Sequence, residues 1–303
     1  MTQDMHRLIA GNKRRDRFFG WAGLAAMVFA VTILLLLLVT LGLEGGRRLS
    51  WEFLTSYPSR VPERAGILPA CVGTVLVMLV TAVTSVPLGV AAAVYLEEYA
   101  PKSRVTAVIE INIANLAGVP SIVYGLMALG LFVYPLHLGH SILTAGLTLT
   151  LLCLPVVIIV AREAIRTVPS GIREAAYALG ATKWQTIRDH VLPYSTGGIL
   201  TGVIIALSRA VGETAPLITI GALSFIAFLP SPPVTATPPF LSVRWLFDPF
   251  AVLPMQMFNW ISRPQEAFHL NAAGAGLVLM LVTLAMNGLA YYIRYRSRRR
   301  IRW

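Results

Sequence analysis

Charged residues are scarce in this chain of 303 residues: Asp, Glu, Lys and Arg make up only 13%. A soluble domain typically has about 25% charged residues, whereas 56% of this chain is hydrophobic and its mean hydropathy is +0.70. Cysteine is nearly absent, with two residues, so the sequence has no disulfide framework and no Cys/His metal spacing. A G-x-x-x-x-G-K-[ST] phosphate loop is also missing, so we expect no ATP hydrolysis by this chain itself. These absences predict a membrane protein without a cofactor, a metal or an ATPase motif.

Long apolar runs are plentiful, and each is long enough to cross a bilayer as a helix of about 20 residues. Six runs can be placed, at about 20–43, 71–96, 106–134, 141–165, 197–226 and 271–293. The first run is longer than the core of a secretory signal, and no small-x-small cleavage site follows it, so we expect a retained helix. The expected fold class is therefore an all-α polytopic membrane protein with six transmembrane helices.

Basic residues are distributed unevenly among the segments that join these runs. With the N-terminus inside the cell, the inner segments hold 18 of the 25 Lys and Arg residues and the outer segments hold 6. This asymmetry follows the positive-inside rule, and it predicts a membrane protein with both termini in the cytoplasm. We interpret the basic tail 294–303 as an anchor for anionic lipid headgroups and not as a nucleic-acid site.

A polar segment at 167–195 separates the fourth and fifth apolar runs. Ser170 is a candidate N-cap, and residues 173–190 favour one short amphipathic helix that ends at Leu192-Pro193. Gly180 allows this helix to turn or to approach a partner backbone closely. Such a helix fits a groove on a partner protein, and the alternative is an ordinary surface helix between two spans.

Two charged residues, Arg209 and Glu213, lie inside the fifth apolar run. Because they are four residues apart, they share one helix face and are able to form an ion pair. Ionisable groups in a span usually face the bundle interior or an aqueous path, and a planar guanidinium suits an oxyanion. The alternative is a helix–helix salt bridge without substrate contact. Pro216 is expected to kink the same helix, and Gly198 and Gly202 are spaced for close packing.

Small and polar residues interrupt the third apolar run. They are Asn112, Asn115, Gly118, Pro120 and Ser121, with Glu110 near the inner end of the run. A kinked helix of this composition is typical of a translocation pathway, and tight helix packing is the alternative.

The segment at 167–195 resembles the EAA loop of ABC importer permeases. Its matching residues are Glu174, Ala175, Ala176, Gly180, Leu192 and Pro193, while His190 stands where isoleucine is usual. Two further stretches, 115–126 and 209–216, are similar to signatures of phosphate-importer permeases of the bacterial cytoplasmic membrane. The stretch 253–260 is similar to a loop of their PstA-type subunit. The resemblance covers roughly residues 70–293.

This resemblance implies a type I ABC importer permease with a MetI-like core. Residues 1–70 would then form a basic segment, the first helix and an outside loop, and 71–293 the permease domain with a long outside loop at 227–270. The implied partners are a PstC-type permease, a PstB-type ATPase dimer and an external PstS-type phosphate-binding protein. Residues Glu174 to Gly180 would couple the chain to the ATPase, and Arg209 with Glu213 would serve phosphate passage.

Three other functions remain open at this point. A secondary anion transporter would also have an intramembrane arginine, although it needs no coupling helix. An ABC permease for molybdate or sulfate and a signalling membrane protein are the other two.

Overall fold

The protein is described by a computed structural model that covers residues 2–222, 226–234, 240 and 242–300. The α-helices in these ranges are α1 (Thr2–Arg48), α2 (Trp51–Thr55), α3 (Leu68–Val94), α4 (Arg104–Leu116), α5 (Ser121–Ala128), α6 (Ile142–Arg166), α7 (Ser170–Ala178), α8 (Lys183–Thr186), α9 (Leu192–Val211), α10 (Ala215–Thr219), α11 (Leu253–Ile261) and α12 (Glu266–Arg300). Turns of π-helix extend three of them, at Tyr95–Tyr99, Leu129–Val133 and Ile187–Val191. Short 3₁₀ turns lie at Pro62–Arg64 and Arg244–Phe247.

Five long helices are apolar enough to cross a membrane, and a bent pair of shorter helices makes a sixth candidate span. The five are Arg15–Arg48, Leu68–Tyr99, Ile142–Arg166, Lys183–Val211 and Glu266–Arg296. This arrangement confirms the predicted all-α polytopic fold. Two ends of the bundle are distinguished below: the arginine-rich end carries residues 95–104 and 162–191, and the long-loop end carries residues 49–67 and 226–265.

The core of the bundle is formed by α3 and α6, which pack along their lengths, while α9 packs between α6 and α12. Small residues allow these close contacts: a Cβ atom added to Gly198 would lie 2.9 Å from that of Ala164, and one on Gly202 would collide with Val160 of α6. The close packing predicted for these two glycines is therefore confirmed. Helix α1 lies outside this core against α12, and its apolar window has no buried residue.

The third span is broken rather than continuous. Helices α4 and α5 meet at an angle of 104° at the short break 117–120. Pro120 lacks the N–H that would continue the helix and disfavours helical geometry at Val119, so the chain restarts as α5 at Ser121. The predicted kink is thus present as a complete break.

The fifth span ends earlier than the sequence predicted. Helix α9 ends at Val211 with Gly212 as its C-cap, and α10 begins at Ala215 after a non-helical turn. The predicted extension to 226 is wrong, and so is the kink at Pro216. Pro216 lies in the first turn of α10, where a missing N–H costs no hydrogen bond.

The predicted amphipathic helix at 173–190 is also wrong in its bounds. Helix α7 ends at Ala178, Gly180 turns the chain with a φ of +82°, and a new helix starts at Lys183. Thr182 caps that start in a capping box with Gln185. The helix does not stop at Leu192-Pro193, because the π-helical turn precedes Pro193 and places it in the first turn of α9. Ser170 is the first residue of α7, and the cap position belongs to Pro169.

Candidate functional site

A cavity of about 310 Å³ lies at the break between α4 and α5. Its walls come from the break itself, the middle of α6 and the C-terminal end of α9. The lining residues are Leu116, Ala117, Gly118, Val119, Pro120, Ser121, Tyr124, Leu152, Cys153, Val156, Ala206 and Arg209. Since Cys153 belongs to the central turns of the spanning helix α6, the cavity lies near the middle of the bundle.

Arg209 is the charged residue in this lining, and its side chain is 71% exposed. Its Nε atom is 3.8 Å from Oε1 of Glu213, whose side chain is 17% exposed. The two residues therefore form an ion pair, as predicted, although they do not share a helix because α9 ends before Glu213. A separation of 3.8 Å is too long for a hydrogen bond, so the Arg209 guanidinium keeps its N–H donors for another acceptor.

The N-terminus of α5 faces the same cavity. Pro120 and Ser121 line it, and the first amide groups of a helix have no partner within the helix. These amides carry the positive end of the helix dipole, which favours an anion. The Tyr124 hydroxyl donates a 2.7 Å hydrogen bond to the Leu116 carbonyl and holds the two half-helices at the break. A guanidinium and a helix N-terminus thus meet at one cavity.

The residues of the EAA segment lie at the arginine-rich end. Glu174 and Ala175 are exposed on α7, Ala176 is buried against the bundle, and Gly180 forms the turn to α8. Pro193 is exposed and Leu192 is partly buried, and both lie at the start of α9. The segment also exposes large apolar side chains to solvent, with Leu179 at 89% and Trp184 and Tyr177 beside it. An exposed apolar surface on a short helix is typical of a docking site for another protein.

Comparisons with known proteins identify the family of this chain. The family described as "binding-protein-dependent transport system inner membrane component" matches residues 85–303. The chain belongs to this permease family. It is a multi-pass membrane component of a transport system that depends on a binding protein, and the family is not one of enzymes.

Curated relatives of the permease have informative names. It is 36% identical over 244 residues to "Phosphate transport system permease protein PstA 1" of Mycobacterium tuberculosis, covering 80% of this chain and 74% of the relative. It is 35% identical over 295 residues to PstA of Mycobacterium leprae, covering 95% and 90%. A "probable ABC transporter permease protein", YqgI of Bacillus subtilis, is 33% identical and covers 90% and 88%.

A solved structure shares the permease's fold. It is the inward-facing MetNI methionine ABC transporter, with a TM-score of 0.52 at 15% identity, covering 73% of this chain and 93% of that one. At this identity the likeness shows the fold alone, which confirms the predicted MetI-like core.

Sequence reasoning missed a set of ion pairs at the arginine-rich end of the permease. Glu97 and Glu98 lie in the π-helical turn that ends α3, and they pair with arginines of α6 and α7. The available signal was two adjacent acidic residues directly after an apolar run, in a chain with few acidic residues. Such a pair rarely ends a span unless cations lie nearby.

Proposed function

We propose that this permease is the PstA-type subunit of an ATP-driven importer of inorganic phosphate, in which it forms half of the translocation pathway. The observation that carries the proposal is the cavity at the helix break, where Arg209 faces the N-terminus of α5 in a chain whose relatives are named phosphate permeases. A secondary transporter of anions is disfavoured because the chain belongs to a family of binding-protein-dependent systems.

In the cavity, hydrogen-bond donors of this chain replace the water molecules that hydrate phosphate. The Arg209 guanidinium donates two parallel hydrogen bonds to two phosphate oxygens, and the α5 amides donate to a third. Glu213, 3.8 Å from Arg209, orients the guanidinium and compensates its charge when the cavity is empty. Because the contact between Arg209 and Glu213 is long, phosphate binds to Arg209 without the breaking of a short hydrogen bond.

A second permease, of PstC type, covers the face that holds Arg209. A charged side chain that is 71% exposed near the middle of a membrane is costly unless protein or water surrounds it. Helix α4, on the same side of the cavity, has no buried residue among its thirteen. Both observations are explained if the pathway lies between this face and the partner permease.

A PstB-type ATPase dimer docks on the apolar surface formed by Tyr177, Leu179 and Trp184, with Glu174 to Gly180 as the coupling element. The helix that follows Gly180 runs for 29 residues from Lys183 to Val211, about 43 Å at 1.5 Å per residue. A displacement of its docked end therefore moves Arg209 at its other end. Leu192 and Pro193 lie within this helix, where the preceding π-helical turn accommodates the proline.

The orientation of the permease follows from its charges. With the arginine-rich end and both termini in the cytoplasm, the outside loops 44–70 and 227–270 face a PstS-type phosphate-binding protein. The permease domain is then 71–293, preceded by the N-terminal unit 1–70 and followed by the basic tail 294–303. No nucleic acid takes part.

Uptake of labelled phosphate into proteoliposomes tests the proposal. The vesicles contain this chain with its partner permease, ATPase and binding protein, with and without ATP. ATP-dependent uptake that sulfate and molybdate do not compete for is the expected result. Absence of ATP-dependent phosphate uptake would contradict phosphate as the substrate, and competition by either anion would contradict selectivity for it. Uptake by this chain alone, driven by an ion gradient, would contradict the coupling to an ATPase.

A further inference from the structure

Six charged side chains connect four helices at the arginine-rich end, and together they are called the ionic connector. They are Glu97 and Glu98 after α3, Glu110 of α4, Arg162 and Arg166 of α6, and Arg173 of α7. None of them belongs to the cavity at the helix break or to the exposed apolar surface of α7 and α8.

The ionic connector begins at α7. Arg173 donates hydrogen bonds of 3.0 and 2.7 Å to Oε1 of Glu98, and it also donates to the Val168 carbonyl at 2.7 Å. Glu98 is 7% exposed, so this contact is shielded from water and from salt. A movement of α7 therefore displaces the turn that holds Glu98 through this contact.

The π-helical turn at the end of α3 links the contact with α7 to contacts with α6. Glu97 and Glu98 are adjacent, so their side chains leave the helix towards different neighbours. Glu97 accepts two hydrogen bonds of 3.2 Å from Arg166, one on each carboxylate oxygen, and it also pairs with Arg162 at 3.5 Å. One rigid turn thus joins α7 to α6.

The connector ends on α4. Arg162 donates a 2.8 Å hydrogen bond to Glu110, the carboxylate in the middle of that helix. Because no residue of α4 is buried within this chain, the other helices of the chain hold it only weakly by hydrophobic packing, and this charged contact fixes its position against α6. Helix α4 leads directly into the break at 117–120, which lines the cavity with Arg209.

We propose that the ionic connector passes the movement of α7 to α4, with the Arg162–Glu110 pair as its last contact. The inference rests on the proposed function, in which an ATPase moves α7. Glu110 and Arg162 act as positioning residues: they touch no substrate, and they set where the half-helix at the cavity lies. The route is separate from the continuous helix that joins Lys183 to Arg209.

The test uses the Glu110→Gln variant in the assembled complex, and it measures backbone hydrogen exchange with and without ATP. In the wild type, ATP is expected to change exchange in both α7 and α4. In Glu110→Gln the ATP-dependent change in hydrogen exchange is lost in α4 and remains in α7, because only the Arg162–Glu110 contact is removed. Phosphate uptake per ATP hydrolysed falls by about tenfold, within the usual range of coupling between sites.

Glu163→Gln is the matched control, because Glu163 is exposed and pairs with Arg166 of its own helix at 3.2 Å. It should respond to ATP as the wild type does. If Glu110→Gln does not assemble, Arg162→Lys replaces it, since it keeps the charge and loses the planar fork. An unchanged ATP response of α4 in the variant overturns the proposal, and so does an equal loss in α4 and α7. The exchange measurement needs no phosphate, so an error in the assigned substrate would appear only in the uptake assay.

Discussion

The two ionic regions of the permease are built differently. At the arginine-rich end, Arg173 meets Glu98 at 2.7 Å and Arg162 meets Glu110 at 2.8 Å, and these contacts tie separate helices together. At the cavity, Arg209 is 3.8 Å from Glu213 and is mostly exposed. The difference indicates that a largely buried arginine with a short carboxylate contact holds helices in place, whereas an exposed arginine with a long contact remains available to a ligand.

Exposure of the arginine distinguishes the two regions, because Arg162 and Arg173 are 13% and 20% exposed whereas Arg209 is 71% exposed. Removing one partner from a shielded pair leaves a charge without compensation, so such pairs are kept intact during a movement. An exposed pair in contact with water is worth little, and it is easily opened when an anion arrives. The following predictions test this contrast in order of decreasing effect.

Arg209→Gln is expected to have the largest effect. Loss of the guanidinium removes two charge-assisted hydrogen bonds to the passing anion, and we expect phosphate uptake to fall by about 100-fold. The complex should still assemble, because Arg209 holds no other described helix. Uptake in proteoliposomes is the measurement, and Arg17→Gln, at an exposed position of α1, is the control. Normal uptake by Arg209→Gln would assign the Arg209–Glu213 pair a structural role.

Gly180→Pro is expected to uncouple the ATPase. Proline fixes φ near −65°, whereas Gly180 has a φ of +82°, so the turn between α7 and α8 cannot form. Uptake should fall by about tenfold or more while the chain remains inserted in the membrane.

Asparagine at position 180 shows whether the position requires a positive φ or requires the absence of a side chain. A Cβ atom at position 180 would meet nothing within 4 Å, and asparagine tolerates a positive φ. Gly180→Asn should therefore keep most of the uptake. Equal losses in the two variants would show that the position needs glycine for contact with the partner and not for the turn.

Glu213→Gln is expected to have a smaller effect than Arg209→Gln. The guanidinium keeps its charge, and only a weak, long contact is lost, so uptake should fall by a few-fold, on the order of 1 kcal/mol. Initial uptake rates over a range of external phosphate concentrations provide the measurement. A loss as large as that of Arg209→Gln would mean that Glu213 takes part in passage directly.

Gly202→Ala tests the packing of α9 against α6, the helices that hold Arg209 and Arg162, respectively. The added methyl group would collide with Val160, and overpacking of this kind costs about 1–3 kcal/mol. Thermal unfolding of the purified protein in detergent should show a lower midpoint. Gly288→Ala in α12 is the control, because a Cβ atom there would meet nothing within 4 Å. An equal shift for both variants would contradict the tight contact of α9 with α6.

Much of the fold was predictable from local chemistry. Hydropathy placed the spans, and the residues around Pro120 predicted an interruption of the third one. The end of α9 at Val211 was not predicted, because the apolar run continues past Gly212 and hydropathy alone extends the helix, although Gly212 followed by Pro216 is a local stop signal. The continuation of the helix through Pro193 was also missed, because proline usually ends a helix. Here the preceding π-helical turn accommodates it.

Composition and neighbours along the chain are sufficient to predict an all-α membrane protein, an EAA segment between two spans and an arginine, Arg209, in an apolar run. The ion pairs between helices depend instead on how the helices pack in three dimensions. Glu110 and Arg162 are 52 residues apart, and Glu98 and Arg173 are 75 residues apart. Such pairs form because packing of the helices brings their ends together, and no local pattern specifies that packing.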